Sequence, residues 1–209
     1  MKKIIFILML ILVCCVCFGV EKSVKKIEIP LPTYDSKISM EYPVFISDKP
    51  IYVFANKKIQ NYVNAFSKIN SKEEGLLPSQ TKFNIVRADD KILSVVEETI
   101  IDPEKKMKGS VSGIRAVDAW TVAMVKGQPK KLALSDICTD KDRLVNDIYF
   151  ILQNDMDEEF SISSLYNPVF LNRFAIGNGK IYFYTEPYMF TKNCVKVVLP
   201  IKDYIKLPL

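Results

Sequence analysis

The chain predicts an α+β fold, a largely antiparallel sheet with two main helices packed on it, as a single domain behind an amino-terminal leader. Three observations carry this. Two segments, 56–69 and 144–152, repeat apolar residues at helical spacing. Most of the remaining chain alternates apolar and polar residues, or runs β-branched, between Gly, Pro, Asn and Asp turns. No internal repeat or low-complexity linker interrupts residues 20–209, and 49% hydrophobic with 25% charged residues is a globular composition.

Residues 1–19 read as a signal peptide. Lys2 and Lys3 precede an apolar run from Ile4 to Val13, and Cys17 and Gly19 put small side chains at −3 and −1 of a cleavage site before Val20. Two alternatives stand beside this. Leu12-Val13-Cys14-Cys15 is a loose lipidation motif with Cys15 as the modified residue, and the apolar run extended to Val20 reaches the shortest length of an uncleaved membrane anchor. Each places residues 20–209 outside the cytoplasm, whether periplasmic, on the cell surface or secreted. The membrane is a partner only through lipidation or an uncleaved leader.

Within 20–209, the segment 24–32 is an edge strand pinned by Pro30 and Pro32, and 36–45 is a second strand with Ile38, Met40 and Tyr42 on one face. Asp48-Lys49-Pro50 turns the chain. Asn56 is then expected to cap a helix whose stripe is Ile59, Tyr62, Val63, Phe66 and Ile69, with Lys57, Lys58 and Gln60 on the solvent side. Gly75 and Pro78 stop it. Strands follow at 81–87 and 92–101, joined at Ala88-Asp89-Asp90-Lys91, and then a charged connection leads to a β-rich stretch, 111–125, with the single tryptophan, Trp120. Gly127-Gln128-Pro129 is read as the turn into 131–134. Thr139 or Asp140 caps the second helix, with Leu144, Val145, Ile148, Tyr149 and Leu152 as its buried stripe. Near the end, Phe174 and Ile176 alternate into Asn178-Gly179, and the chain returns through Ile181 to Tyr184. Asn-Gly between such runs is a strong hairpin signal, because both central residues of a type I′ turn need positive φ. A loop through Glu186-Pro187-Tyr188 and a strand from Val195 to Val198 complete the pattern.

The chemistry available is narrow. With no histidine, the chain lacks Ser-His-Asp and Cys-His activation and histidine-ligated zinc. Four dispersed arginines give no nucleic-acid footprint. Carboxylate chemistry stays open, and Glu97, Glu98, Asp118 and Glu186 are its candidates, although a solvated strand position accounts for each more simply. Asp155, Asp157 and Glu159 suggest calcium, but the loop counted from Asp155 has Phe160 where glycine is needed and Tyr166 where glutamate is needed. No metal and no cofactor is therefore expected. Trp120, Tyr182, Tyr184 and Tyr188 are the candidate ligand-binding residues, with Tyr182 and Tyr184 facing outward as an aromatic platform; the alternative is that they pack beneath the helices. Outside the leader there are two cysteines, Cys138 and Cys194, whose bridge would stabilise by about 4 kcal/mol through loop closure. Two buried thiols are the other reading.

The pattern resembles the extracellular domain of unknown function shared by the lysozyme-sensing anti-sigma factor RsiV and the peptidoglycan deacetylase PdaC. The resemblance rests on the strand-turn Val125-Lys126-Gly127 leading to Leu134-Ser135-Asp136-Ile137, then Phe174, Asn178-Gly179, the aromatic strand Ile181 to Tyr184, Pro187-Tyr188 and the strand ending at Pro200. Ser112-Gly113-Ile114-Arg115-Ala116 stands where members of that family often carry Gly-Gly-Ala-His. Recognition is expected to depend on the strands and loops around Gly113 to Trp120. The resemblance implies a non-catalytic envelope domain that binds a lysozyme-like muramidase or peptidoglycan. A carboxylate-dependent glycan hydrolase and a structural envelope lipoprotein are the alternatives. Neither a deacetylase domain nor a cytoplasmic sigma-factor-binding segment is expected.

Overall fold

A computed structural model describes residues 20–31, 36–70, 72, 76–101, 113–155, 160–186 and 194–207. The leader with Cys15, the residues 156–159 and Tyr188 lie outside them.

Strands β1 (Lys22–Leu31) and β2 (Ser36–Phe45) form an antiparallel pair, with Ile29 opposite Ile38 and Ile27 opposite Met40. Helix α1 (Pro50–Phe66) then crosses the sheet and delivers β3 (Ser79–Ala88) parallel to β2. From there β3, β4 (Ile92–Ile101), β5 (Ile114–Val125) and β6 (Gln128–Lys131) run as an antiparallel meander, giving a six-stranded sheet in chain order. Helices α2 (Lys141–Asp155) and α3 (Pro168–Leu171) follow. Strands β7 (Phe174–Gly177), β8 (Lys180–Tyr184) and β9 (Lys196–Pro200) make a separate antiparallel three-stranded sheet. The fold is thus α+β, with one parallel pair inside the large sheet and a second sheet that the expectation of one sheet did not include. Among the described residues no helix is long and apolar enough to cross a membrane.

Helix α1 begins six residues before its expected cap. Pro50 occupies its first turn, where a missing N–H does no harm. Ile51, Tyr52 and Ala55 extend the stripe of Ile59, Val63 and Phe66, and all six are buried. Lys49, at the N-cap, makes no side-chain capping hydrogen bond to the helix. The absent cap forgoes ~1 kcal/mol, whereas burial contributes roughly 1.5–3 kcal/mol for each large side chain, so packing decides the start. Asn56 instead sits inside the helix and clasps β2: Phe45 N donates to Asn56 Oδ1 and Asn56 Nδ2 donates to Phe45 O, both at 2.9 Å.

Helix α2 starts where expected. Asp140 Oδ1 accepts from Arg143 N at 3.0 Å, and Leu144, Val145, Ile148 and Leu152 are fully buried. The Asn178-Gly179 turn has φ of 52° and 70°, as a type I′ turn requires. A second such turn lies at Lys126 and Gly127, with φ of 51° and 77°, so the β5–β6 reversal comes just before the expected Gly127-Gln128-Pro129 and Pro129 lies within β6.

Two cores flank the large sheet. On one face Leu93, Val95, Trp120 and Val122 pack against α1, β1 and β2. On the other, Ile92 and Ala123 join α2, α3 and the inner residues of the small sheet. Where the sheets meet, β7 comes close because small polar residues replace large ones. Ile176 N donates to Ser94 Oγ at 3.0 Å, Ser94 Oγ lies 2.9 Å from Thr121 Oγ1, and Thr121 Oγ1 donates to Phe174 O at 3.3 Å. One direction of donation satisfies the whole relay: N–H to Ser94, Ser94 to Thr121, Thr121 to carbonyl. Gly177 continues the close approach, since a Cβ there would stand 2.7 Å from Val86 Cγ1.

Candidate functional site

Strand alternation places a polar cluster on an otherwise apolar face. Glu97 of β4 and Asp118 of β5 are register partners. They share the face of Leu93, Val95, Trp120 and Val122, since side chains two apart project to the same side. Strand β6 covers β5 only from Val122 to Val125, which leaves the earlier half of β5 open to the chain around the small sheet. Arg173, immediately before β7, and Glu186, just after β8, close on this opening. With Thr99 and the walls Ala116 and Val117 they line an open cleft of about 370 Å³.

Each polar group has a distinct setting. Tyr62 OH donates to Asp118 Oδ2 at 3.1 Å, and Ala119 N donates to Oδ1 at 2.9 Å. Arg173 Nη2 donates to Glu186 Oε1 at 2.8 Å, and its Nε lies 3.6 Å from Asp118 Oδ1. Glu97 Oε2 is buried and has no hydrogen-bond partner among the described residues. Burial first, and then the charge of Asp118, push the Glu97 carboxyl up to about 7, against the opposing pull of Lys58. Burial and the same two carboxylates push the Tyr62 phenol upward. Lys58 lies 5.1 Å from the Tyr62 ring centroid and 5.2 Å from that of Trp120, and burial, followed by repulsion from Lys131, lowers its pKa.

Of the four candidate acids, the fold brings together Glu97, Asp118 and Glu186. Glu98 points to the opposite face and is bonded to Arg115 Nε. Lys58, Tyr62 and Arg173 were not expected here. Helical spacing alone puts Lys58 on the solvent side of α1, but its long stem folds its ammonium back over two aromatic rings. A signal was present for the acids: Asp118 stands two residues before Trp120 and Glu97 two after Val95, each a carboxyl in register with buried apolar positions.

The aromatic platform does not form. Trp120 is fully buried beneath α1, and Tyr184 is 5% exposed in a small core with Val96, Ala119, Ala175 and Cys194. Burial pushes the Tyr184 phenol up to about 12. Tyr182 is half-buried, with Lys196 Nζ 5.1 Å from its ring centroid. The physical reason is that both faces of the small sheet are covered. Ile181 and Phe183 pack toward α2 and α3, while Ala175 and Tyr184 pack toward β4 and β5. The expected bridge is also absent: Cys138 and Cys194 are both free. Cys138 pairs with Ile205 beside the α2 core, whereas Cys194 N donates to Arg115 O at the edge of β5. Burial raises the Cys194 thiol to about 11, which makes it an inert apolar group. Among the described residues no three acids or cysteines are gathered closely enough to hold a metal ion.

No protein-family model matches the chain, and no curated protein matches it. Among solved structures it is similar to a DUF3298 family protein from Pseudomonas aeruginosa PAO1, with a TM-score of 0.56 and 11% identity, covering 91% of this chain and 96% of that one. It is also similar to a member of the DUF3298 family from Bacteroides fragilis NCTC 9343, with a TM-score of 0.54 and 13% identity, covering 91% and 95%. The chain shares the DUF3298 fold. DUF3298 proteins are a family of unknown function, in keeping with the expected domain of unknown function. At these identities the likeness describes the fold alone, so the DUF3298 comparison assigns no role to Glu97, Asp118 or Arg173.

Proposed function

We propose that the chain is an exported cell-envelope binding domain of the RsiV/PdaC type, without catalytic activity, that recognises a lysozyme-like muramidase or peptidoglycan. The cleft that β4 and β5 line together with Arg173 and Glu186 is its binding site. One observation carries this reading: Glu97 lines an open polar cleft and keeps one buried oxygen without a hydrogen-bond partner among the described residues. Native structures leave few buried polar atoms unpaired, and a shifted acid in a cleft is a marker of a functional site. The apolar leader and the absence of histidine support export and a binding role.

Retention of the chain on immobilised lysozyme and on purified peptidoglycan tests the proposal. Binding to one of them, weakened by Asp118→Asn or Arg173→Ala, is the expected result; retention on neither rejects it. A second reading, a carboxylate-dependent glycan hydrolase, is favoured by the Glu97–Asp118 pair itself. A glycan-cleaving site needs one carboxyl that holds a proton near neutral pH beside another that does not. Release of reducing sugar from peptidoglycan, abolished by Glu97→Gln, would select that reading.

A further inference from the structure

We infer that β1 is an interface between two copies of this chain, which pair antiparallel along their β1 edges about a two-fold axis at Ile27. The pairing joins their six-stranded sheets into one. It goes beyond the cleft and holds whatever the cleft binds.

The phase of the β1–β2 ladder decides which backbone groups of β1 point outward. Strand β1 ends the order of the large sheet, with no strand on its outer side among the described residues. Ile46 N donates to Glu21 O at 2.8 Å. Antiparallel pairs alternate from there, so Ser23, Lys25, Ile27 and Ile29 turn their N–H and C=O groups to β2. Phe45, opposite Lys22, agrees with this phase, because Asn56 bonds its N–H and C=O on the side away from β1. Val24, Lys26 and Glu28 therefore present both backbone groups outward, and Pro30 presents its C=O alone. All four are exposed, and Val24, at 68%, is the most exposed large hydrophobic among the described residues.

Lysines and prolines commonly guard such an edge against pairing. Here they select one register instead. An axis at Lys25, Lys26 or Glu28 sets that residue against its own copy, a like-charge pair. With the axis at Ile27, Lys26 faces Glu28 of the second copy, Glu28 faces its Lys26, and the half-buried Ile27 meets Ile27. Both Lys26–Glu28 pairs fall where the two residues exchange N–H and C=O bonds. Pro30 of the second copy covers Val24 and accepts from its N–H, a role that needs no N–H on the proline. On the other face the stem of Lys25 lies along Ile29 of the second copy, and Lys22 lies beyond the last of these pairs. Within one chain Glu28 is held by Lys26 and Lys37, each at 2.7 Å, and Glu41 lies 3.9 Å from both Lys26 and Lys82. Each acid of this face is thus already flanked by lysines, and the second copy sets no like charge directly opposite any of them.

Sedimentation equilibrium of the chain, from micromolar to near-millimolar concentration, reads the association, and hydrogen exchange at a low and a high concentration reads its register. The mass should double as concentration rises. The amides of Val24, Lys26 and Glu28 should exchange more slowly in the dimer, whereas those of Ser23, Lys25 and Ile27, bonded to β2 in either state, should change little. Lys26→Glu sets like charges opposite each other on both sides of the axis and should raise the dissociation constant about tenfold or more. Lys26→Glu combined with Glu28→Lys restores opposite pairs and should recover the parent value to within a few-fold. Both positions are exposed, and an unchanged circular dichroism spectrum checks that each variant is folded. A chain that stays monomeric throughout, a dimer indifferent to Lys26→Glu, or a dimer whose Val24, Lys26 and Glu28 amides exchange as fast as in the monomer would each overturn the inference.

Discussion

Replacing Glu97 by glutamine keeps the shape of the side chain and removes its titration, and the structure assigns that change a size. The Glu97 carboxyl moves from an ordinary 4.5 to about 7 on folding, through burial first and the Asp118 charge second. At about 1.4 kcal/mol for each pH unit, this is worth about 3 kcal/mol. The sign follows from proton binding. Below pH 4.5 the group is protonated in both states and imposes no penalty. Between 4.5 and 7 the folded chain binds the proton more tightly than the unfolded chain, so stability falls as the pH rises. Above about 7 both states are ionised and the full penalty is present. Urea denaturation of both proteins from pH 4.5 to 8 measures the difference, with equal m-values confirming a common unfolded state. Glu97→Gln should gain on the parent by about 3 kcal/mol across that range and level off above pH 7. A difference that stays flat with pH would show that Glu97 is not buried as described. Asp118→Asn should move the inflection to lower pH, because it removes the smaller of the two causes.

Other substitutions test how the sheets are joined. Gly177→Ala forces a methyl to within 2.7 Å of Val86 Cγ1 and 3.0 Å of Val86 O; a loss of about 1–3 kcal/mol in denaturation is expected, and Val86→Ala should restore only part of it because the carbonyl remains. Ser94→Ala leaves the buried Ile176 N–H without its acceptor, and should lower stability by about 1–3 kcal/mol and speed hydrogen exchange at Ile176. Asn56→Ala removes both clasps to Phe45 and should cost about 1–3 kcal/mol, whereas an exposed capping residue would lose ~1 kcal/mol; thermal melts of Asn56→Ala and of the genuine cap variant Asp140→Ala make the comparison.

Local patterns were legible where the local sequence decides the structure. The Asn178-Gly179 turn follows from its two positive-φ residues, the β3–β4 hairpin from Asp89, whose Oδ1 accepts from Lys91 N and Ile92 N, and the buried stripe of α2 from apolar spacing. The start of α1 did not, because Ile51-Tyr52-Val53-Phe54 has the β-branched and aromatic character of a strand and only tertiary packing makes it helical. The predicted aromatic platform at Tyr182 and Tyr184 fails for a related reason. A tyrosine has an apolar body and a polar tip, so strand alternation cannot say which side is covered when both are. For the site, the acids themselves were visible, but their convergence depends on the pairing of β4 with β5 and on where the small sheet docks. Neither is encoded in spacing along the chain. Arg173 and Glu186 are brought together from the two ends of one hairpin, and Lys58 and Tyr62 from a helix far earlier in sequence.

The hydroxyl relay through Ser94 and Thr121 has a thermodynamic consequence for whatever the cleft holds. Arg173 and Glu186 bracket the β7–β8 hairpin, whereas Glu97 and Asp118 belong to the large sheet, so the cleft has one wall on each side of the joint that the relay fastens. Ligand affinity and hairpin attachment are therefore linked quantities. A ligand touching both walls adds its binding free energy to the docking equilibrium, and a chain with the hairpin lifted must meet the docking penalty out of its apparent affinity. Mutations in the relay, far from any bound group, should then weaken binding in proportion to the fraction of hairpin they release, and a saturating ligand should clamp the hairpin and slow its exchange with solvent.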